Sequence, residues 1–135
     1  MNRSSKIHLL YRLSRYFFVR DYKKLAVLLE NYISFRYGCF ISPEAIISSK
    51  WVLPHPTGVI VGANVLIEDF AVIYQGVTLG RKNKQEKSAP KIRAGAIIYA
   101  NSVIVGDVEI GKGSIIGALT FVNCDVRESE VFIRK

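Results

Sequence analysis

Aliphatic residues return at every sixth position over most of the chain, from Ile41 onward. No polar residue interrupts the three resulting ladders. The ladders are Ile41, Ile47 and Leu53, then Val61, Ile67, Ile73 and Leu79, and finally Ile92, Ile98, Ile104, Ile110, Ile116 and Val122. A period of six is neither a helix period nor a plain strand alternation. It is the spacing required when three short strands form each coil of a triangular prism and each strand points one side chain inward.

The stacking of such coils follows from the burial energy of the ladders. Each inward aliphatic side chain contributes roughly 1.5–3 kcal/mol on burial, so a single coil is marginal and several must stack. A two-layer sandwich would also need many short strands, but it would not keep a strict register of six. The sequence therefore predicts a mainly β protein, a parallel β-helix of hexapeptide repeats. The pattern does not fix the handedness of the coil, and ordinary crossover connections favour a right-handed one.

Two interruptions break the ladders. The spacing between Leu53 and Val61 widens to eight across a Pro-His-Pro-Thr-Gly segment that contains His55. Between Leu79 and Ile92 lies a polar insertion, residues 80–91, which is rich in lysine and arginine. Loops that leave a rigid scaffold are where functional residues concentrate, so these two segments are the candidate functional loops.

Residues 4–37, ahead of the ladders, predict two helices. Ser4 or Ser5 is the expected cap of the first helix and Asp21 of the second, and Gly38 ends the second. The predicted apolar sides are Ile7, Leu10, Leu13, Phe17 and Phe18 in the first helix, and Leu25, Leu28, Leu29, Tyr32 and Ile33 in the second. We expect a helical cap over residues 1–38 that covers one open end of the prism, and a β-helix domain over residues 39–135.

Charge and composition narrow the class of protein. The chain has 135 residues and a formal net charge of +8, and half of its residues are hydrophobic. No apolar stretch reaches the length of a membrane span, and no cleavable leader is evident, so a cytoplasmic location is expected. Basic residues crowd the predicted helices, which also suits a peripheral role at the inner face of a membrane. The two distant histidines exclude an all-histidine metal site, and no nucleic-acid-binding motif is present.

The segment 53–80, LPHPTGVIVGANVLIEDFAVIYQGVTLG, resembles the core of the serine acetyltransferase-like group of hexapeptide-repeat acyltransferases. The resemblance runs from Ile41 to Gly80, resumes at Pro90, and covers about two thirds of the chain. It implies a left-handed parallel β-helix, an acetyl-CoA co-substrate and no metal. It also implies a homotrimer whose active sites lie between subunits.

The resemblance places the catalytic histidine of the family on His55. An imidazole with an ordinary pKa near 6.5 can accept a proton from a hydroxyl at neutral pH. The resulting alkoxide would attack the thioester carbonyl, and backbone N–H groups would stabilise the oxyanion. Tyr74 and Gln75, in the Tyr-Gln-Gly-Val-Thr-Leu-Gly motif, are the implied substrate-binding residues. The family's coenzyme contacts fall on Gly80, Ala100, Ala118 and Asn123, and Lys82 in the basic loop is the expected phosphate partner.

Three positions depart from the serine acetyltransferase pattern. Phe40 and Pro54 stand where that group carries aspartates, and Ala89 stands where it carries a second active-site histidine. On these grounds we expect a sugar hydroxyl, as in bacterial capsular and exopolysaccharide O-acetyltransferases, to be the acceptor. Serine O-acetylation is the first alternative, and a non-catalytic β-helix scaffold is the second.

Overall fold

A computed structural model describes residues 1–133 of the chain. Two helices come first, α1 (Arg3–Val19) and α2 (Lys23–Tyr37), and short strands follow. The strands are β1 (Phe40–Ile41), β2 (Ile46–Ile47), β3 (Ile60–Val61), β4 (Leu66–Ile67), β5 (Val72–Ile73), β6 (Thr78–Gly80), β7 (Lys91–Ile92), β8 (Ile97–Ile98), β9 (Val103–Val105), β10 (Glu109–Ile110), β11 (Ile115–Ile116), β12 (Phe121–Val122) and β13 (Val131–Phe132).

The strands form three parallel sheets that make the faces of a prism. The first sheet has the order β1-β3-β6-β9-β12, the second β10-β7-β4-β2 and the third β13-β11-β8-β5. The chain visits the three sheets in turn, and strands of successive coils pair with each other, as Ile115 does with Ile97 one coil earlier. The predicted parallel β-helix is confirmed.

The aliphatic ladders fill the interior of the prism. Every ladder residue from Val61 to Val122 is at most 1% exposed, because each strand turns that position inward. The first coil differs, since Ile47 is only partly buried where the prism opens towards α1. Buried polar residues are satisfied by the backbone; the Ser102 hydroxyl, for example, donates to the Gly117 carbonyl at 2.7 Å.

The capping residues at the starts of the two helices differ from those predicted from the sequence. Asn2, not Ser4 or Ser5, caps α1, and its side chain accepts a hydrogen bond from the Ser5 N–H at 2.8 Å. Tyr22 precedes α2 without a side-chain cap, because Asp21 adopts a left-handed conformation in the connecting turn. The predicted end of α2 at Gly38 is confirmed, since Gly38 takes the left-handed conformation at φ +68°.

The helices rest on the first coil of the prism through a few specific contacts. The Tyr11 hydroxyl donates to the Ala45 carbonyl at 2.5 Å, and the Arg15 guanidinium donates to the Pro43 carbonyl at 3.0 Å. The His8 ring stacks on Trp51 with ring centroids 5.2 Å apart. Within the described residues, neither helix has the length and apolar character needed to cross a membrane.

The predicted apolar sides of the helices are correct only in part, since Ile7 and Ile33 are buried as predicted and Leu10 packs against the core. The residues that α1 buries are Ile7, Tyr11 and Ser14, and those that α2 buries are Ala26, Ile33 and Tyr37. Many of the predicted core residues face outward instead. They are Leu13, Leu25, Leu28 and Tyr32, each at least 42% exposed. The reason is that Ser14 donates to the Ala26 carbonyl at 2.9 Å, which lets a polar residue occupy the helix–helix contact.

Candidate active site

The first sheet carries the predicted functional residues at its two edges. The turns that precede its strands form one edge, which we call the histidine corner, residues 54–58, 74–76, 99–101 and 117–119. The turns that follow its strands form the other, which we call the loop corner, residues 80–82, 105–107 and 123. The strands of the first sheet lie between these two corners. Strand β6, three residues long, spans about 10 Å.

His55 lies at the histidine corner in the first of the two interruptions. Pro54 and Pro56 restrict the backbone on either side of it. The His55 carbonyl accepts from the Thr57 N–H at 2.8 Å, and the Gly58 N–H donates to the Gly38 carbonyl at 2.9 Å, which holds the turn against the end of α2. The imidazole is exposed. No hydrogen bond to it is present within residues 1–133, so a substrate can reach its ring nitrogens.

Two tyrosines continue a row of rings from His55 along the prism. The rings of His55 and Tyr74 have centroids 6.2 Å apart, and Tyr74 stacks on Tyr99 at 5.0 Å. The sequence analysis missed Tyr99, because no motif contains it. Its signal was positional, since Tyr74 and Tyr99 stand at the same step before β6 and β9, on consecutive coils. The row places two stacked aromatic rings beside the candidate base.

Gln75, Ala100 and Ala118 form a second row at the same corner. The Gln75 carbonyl accepts from the Asn101 N–H at 3.0 Å, and the Ala100 carbonyl accepts from the Leu119 N–H at 3.0 Å, which aligns the three on successive coils. The Gln75 Oε1 is buried and has no hydrogen-bond partner among the described residues. Buried polar atoms are normally hydrogen-bonded, so the unpaired Gln75 Oε1 is an unusual feature of this corner.

The other predicted coenzyme residues lie across the sheet, at the loop corner. Gly80 pairs with Val105 in the sheet, and a Cβ added at Gly80 would meet no atom within 4 Å. Asn123 is exposed directly after β12. The Lys82 Cβ lies 3.9 Å from the Cβ position of Gly106. One prism therefore places the predicted coenzyme residues in two groups that its own sheet separates.

The basic residues in and near the insertion differ in whether they are free to bind an anion. Lys82, Lys84 and Lys87 are exposed. Just beyond the insertion, the Arg93 guanidinium donates to Glu68 at 2.8 Å and to Glu109 at 3.0 Å, and these hydrogen bonds raise the pKa of Arg93. Arg93 is therefore not free to neutralise a phosphate. The described residues include no group of three or more histidine, cysteine, aspartate or glutamate side chains suited to a metal ion.

The three departures from the serine acetyltransferase pattern occupy different environments. Phe40 is 44% exposed on β1, whereas Ala89 is buried and Pro54 is half-buried beside His55. None of them offers a polar group to orient the imidazole. Any orientation of His55 within the described residues thus comes from its turn and from Tyr74.

Comparison with known proteins identifies the repeats and their relatives. Residues 89–124 match the family described as "Bacterial transferase hexapeptide (six repeats)". Serine acetyltransferase from Haemophilus influenzae is 39% identical over 113 residues, which is 83% of this chain and 42% of the relative. The chain thus spans less than half the length of that relative.

Solved structures give the same relationship. A serine acetyltransferase in complex with CoA superposes with a TM-score of 0.82 at 38% identity, over 88% of this chain and 49% of that one. Soybean serine acetyltransferase complexed with serine superposes with a TM-score of 0.88 at 29% identity, over 93% of this chain and 52% of that one. The fold is a left-handed parallel β-helix, as the family resemblance implied and unlike the right-handed coil that ordinary crossovers favour.

The expectation of a sugar acceptor is wrong. Serine acetyltransferases are among the relatives and solved structures that match this chain, at 38–39% identity for the bacterial sequences. Phe40, Pro54 and Ala89 are the substitutions on which the expectation of a sugar acceptor rests. Those three positions do not outweigh a similarity that extends over about four fifths of the chain, so they do not identify the acceptor class.

Proposed function

We propose that this chain, a member of the hexapeptide-repeat transferase family with serine acetyltransferase relatives, transfers an acetyl group from acetyl-CoA to the hydroxyl of serine. The single observation that carries the proposal is the exposed His55 in a rigid turn beside Tyr74, on a scaffold that serine acetyltransferases share. The placement suits a general base that both substrates reach from solvent. The enzyme class is an O-acetyltransferase.

His55 would act as the general base. Its free ring nitrogen accepts the proton of the serine hydroxyl while the oxygen forms a bond to the thioester carbonyl carbon. The tetrahedral intermediate then collapses, the C–S bond breaks, and the imidazolium returns the proton to the leaving thiolate. The products are O-acetylserine and CoA. The exposure of His55 keeps both ring nitrogens accessible, and the two flanking prolines limit the motion of its backbone.

Gln75 and the aromatic row would bind the substrates beside the base. The Gln75 Oε1 has no donor among the described residues, and with the side chain turned outward it would accept from either the ammonium group of serine or an amide N–H of the pantetheine arm. Ala100 and Ala118 continue the Gln75 row with small side chains, which leaves room for an extended chain along the corner. Tyr74 packs over the same region.

A homotrimer would bring the two corners together. Gly80, Lys82 and Asn123 are separated from His55 by the width of the first sheet, about 10 Å of strand. A coenzyme held by both groups therefore requires the loop corner of one subunit to face the histidine corner of its neighbour. Lys82 would then lie beside the coenzyme phosphates, and its flexible ammonium group would neutralise part of their charge. Light scattering at micromolar concentration would detect the trimer, and a monomer would refute the shared site.

Thiol release from acetyl-CoA in the presence of serine tests the function. We expect turnover with serine in the native protein and a decrease of about 10²–10⁴-fold in His55→Ala, the usual contribution of a positioned general base. His8→Gln, at the other histidine of the chain, is the matched control and should keep the turnover of the folded protein. Calorimetry with acetyl-CoA and sizing would show that His55→Ala still binds the donor and still assembles.

Two results would refute the proposal. One is near-native turnover in His55→Ala with serine, which would make His55 a structural residue. The other is the absence of thiol release with serine in a native protein that binds acetyl-CoA, which would exclude serine as the acceptor.

A further inference from the structure

The helices carry most of the positive charge of the chain. Residues 1–38 contain eight lysines and arginines against two acidic residues, a net charge of +6 out of the total of +8. Residues 39–135 contain eleven basic and nine acidic residues. Helix α1 itself has no acidic residue. The charge asymmetry therefore belongs to the helices and not to the prism.

The same helices expose large apolar and aromatic side chains. Phe35 is 92% exposed, Leu28 is 64% exposed and Tyr16 is 50% exposed. Further residues of this kind follow both helices; they are Leu9, Leu13, Val19, Leu25, Val27 and Tyr32, each at least 42% exposed. A soluble surface normally scatters such residues singly. In α1 they alternate with arginine and lysine, and in α2 the basic residues Lys23, Lys24 and Arg36 stand at the two ends of the helix.

A groove of about 440 Å³ lies between the C-terminal half of α1 and the first coil. We call it the arginine groove. Its lining consists of Tyr11, Arg12, Arg15, Tyr16, Val19, Arg20, Ile46, Ile47 and Ser49. The Arg20 guanidinium lies 4.4 Å from the centre of the Tyr16 ring, which holds a cation beside an aromatic surface. No acidic side chain is among these lining residues.

We infer that the arginine groove and the exposed sides of the two helices bind the surface of a membrane that contains anionic phospholipids. The guanidinium groups would pair with lipid phosphates, since the planar donors of arginine match phosphate oxygens. The Tyr16, Val19 and Ile46 side chains would enter the boundary between headgroups and acyl chains. Basic residues together with exposed aromatic and aliphatic residues are the composition of helices that bind at a membrane interface.

The charge argues against the other occupants of this surface. A second copy docked here would bring one surface with a net charge of +6 against another, at a cost in repulsion. A free phosphate would use the arginines but would leave the exposed Phe35 and Leu28 uncovered. An anionic bilayer satisfies both the charge and the apolar residues.

Sedimentation with vesicles of phosphatidylcholine, with and without phosphatidylglycerol, tests the inference on the full chain. We expect the protein to sediment with the anionic vesicles and not with the zwitterionic ones. Binding to the anionic vesicles should decrease as the salt concentration is raised. Arg12→Gln combined with Arg20→Gln should lower the partition coefficient about 30-fold, since each basic residue near such a surface is worth about 1 kcal/mol. Lys84→Gln with Lys87→Gln removes the same charge from the prism loop and should bind as the native protein does.

Further arms separate the sources of binding. Acetyl transfer in vesicle-free solution should be the same in the Arg12 and Arg20 variant as in the native protein, so a failed membrane test leaves the proposed function standing. Three results would overturn the inference. They are equal binding to both vesicle types, loss of binding in the prism-loop variant but not in the helix variant, and displacement from vesicles by millimolar-scale inorganic phosphate in excess of its ionic-strength effect.

A self-association arm covers the remaining occupant. Phe35→Ser with Leu28→Ser should weaken vesicle binding and leave the assembly size by light scattering unchanged. If this variant instead loses an assembly step and native vesicle binding is absent, the surface is an interface between copies, and the membrane inference is wrong.

Discussion

Gly80→Ala separates the proposed coenzyme contact from the stability of the fold. A Cβ at Gly80 would meet no atom of the chain within 4 Å, and Gly80 lies in a β-strand without a positive φ. Alanine can adopt this conformation and has less freedom than glycine in the unfolded chain. We therefore expect the free energy of unfolding to rise by about 0.4–1 kcal/mol.

The effect on acetyl-CoA binding should have the opposite sign. If the pantetheine arm lies against the Gly80 backbone, the added methyl group occupies space that the coenzyme needs. Overpacking of a tight contact costs about 1–3 kcal/mol, which corresponds to a rise in KM for acetyl-CoA of about 5- to 150-fold. The KM for serine should change much less, because the added methyl group would meet the pantetheine arm and would not touch the serine.

Gly111→Ala is the matched control for this measurement. A Cβ at Gly111 would lie 2.6 Å from the carbonyl carbon of Arg127 and 2.8 Å from its oxygen, a contact with backbone that cannot rotate away. This variant should lose stability in urea unfolding and keep the native KM for acetyl-CoA. An unchanged KM in Gly80→Ala, with the protein folded and stable, would refute the contact between Gly80 and the coenzyme.

Three further perturbations test other parts of the molecule. Ile104→Ala should lower the free energy of unfolding in urea by about 2–5 kcal/mol, since Ile104 is fully buried in the ladder. Tyr99→Ala should lower kcat/KM about 2- to 12-fold, the worth of one aromatic pair beside the site, in the thiol-release assay. Burial lowers the pKa of His8 below its ordinary 6.5. Between these two pKa values the unfolded chain is protonated at His8 and the folded chain is not. Stability should therefore be full above pH 6.5 and should fall as the pH drops towards the lowered pKa, a decline that the fluorescence of Trp51 reports and that His8→Gln flattens.

Each of these has a contradicting result. Ile60 lies on the outer side of β3, so Ile60→Ala should lose much less stability than Ile104→Ala. An equal loss would mean that an inward position does not determine the free energy lost on substitution. Tyr22→Ala, far from the site, should keep native kcat/KM; an equal loss there would make the Tyr99 effect nonspecific. An acid-induced loss of stability that persists unchanged in His8→Gln would assign it to other groups.

The ladders of the prism could be predicted from the sequence because burial forces them. An inward position every six residues is a property of the chain itself, and the structure buries those residues almost completely from Val61 to Val122. Local motifs also sufficed for Gly38, whose left-handed conformation ends α2. Both features depend on a few neighbouring residues and on one rule of geometry.

The helix orientation could not be predicted in the same way. Apolar residues occur on more than one side of α1 and α2, so hydrophobicity alone does not select the buried side. The selection is made by tertiary hydrogen bonds, such as those of Ser14 with Ala26 and of Tyr11 with Ala45. A pattern of apolar positions contains no information about such bonds.

The candidate site was predictable only in part. His55, Tyr74 and Gln75 lie in one motif, and the structure brings them to one corner. Tyr99 lies outside any motif, and its place beside Tyr74 follows from the coil register across the insertion. The separation of Gly80 from His55 has the same origin. The proposal of serine as the acceptor depends on the relatives, because three substituted positions are too few to define an acceptor.

The pairing of each strand with the strand one coil away has a consequence for how the chain folds. Ile97 pairs with Ile115 and Val103 with Phe121, and every sheet contact among residues 1–133 likewise closes a loop of one coil. Closing each loop costs nearly the same entropy, because that cost grows only slowly with loop length. The slow event is then the first stacking of two coils, after which further coils add in sequence along the prism. A substitution that destabilises one coil should slow the passage through that coil and leave the folding of the others almost untouched.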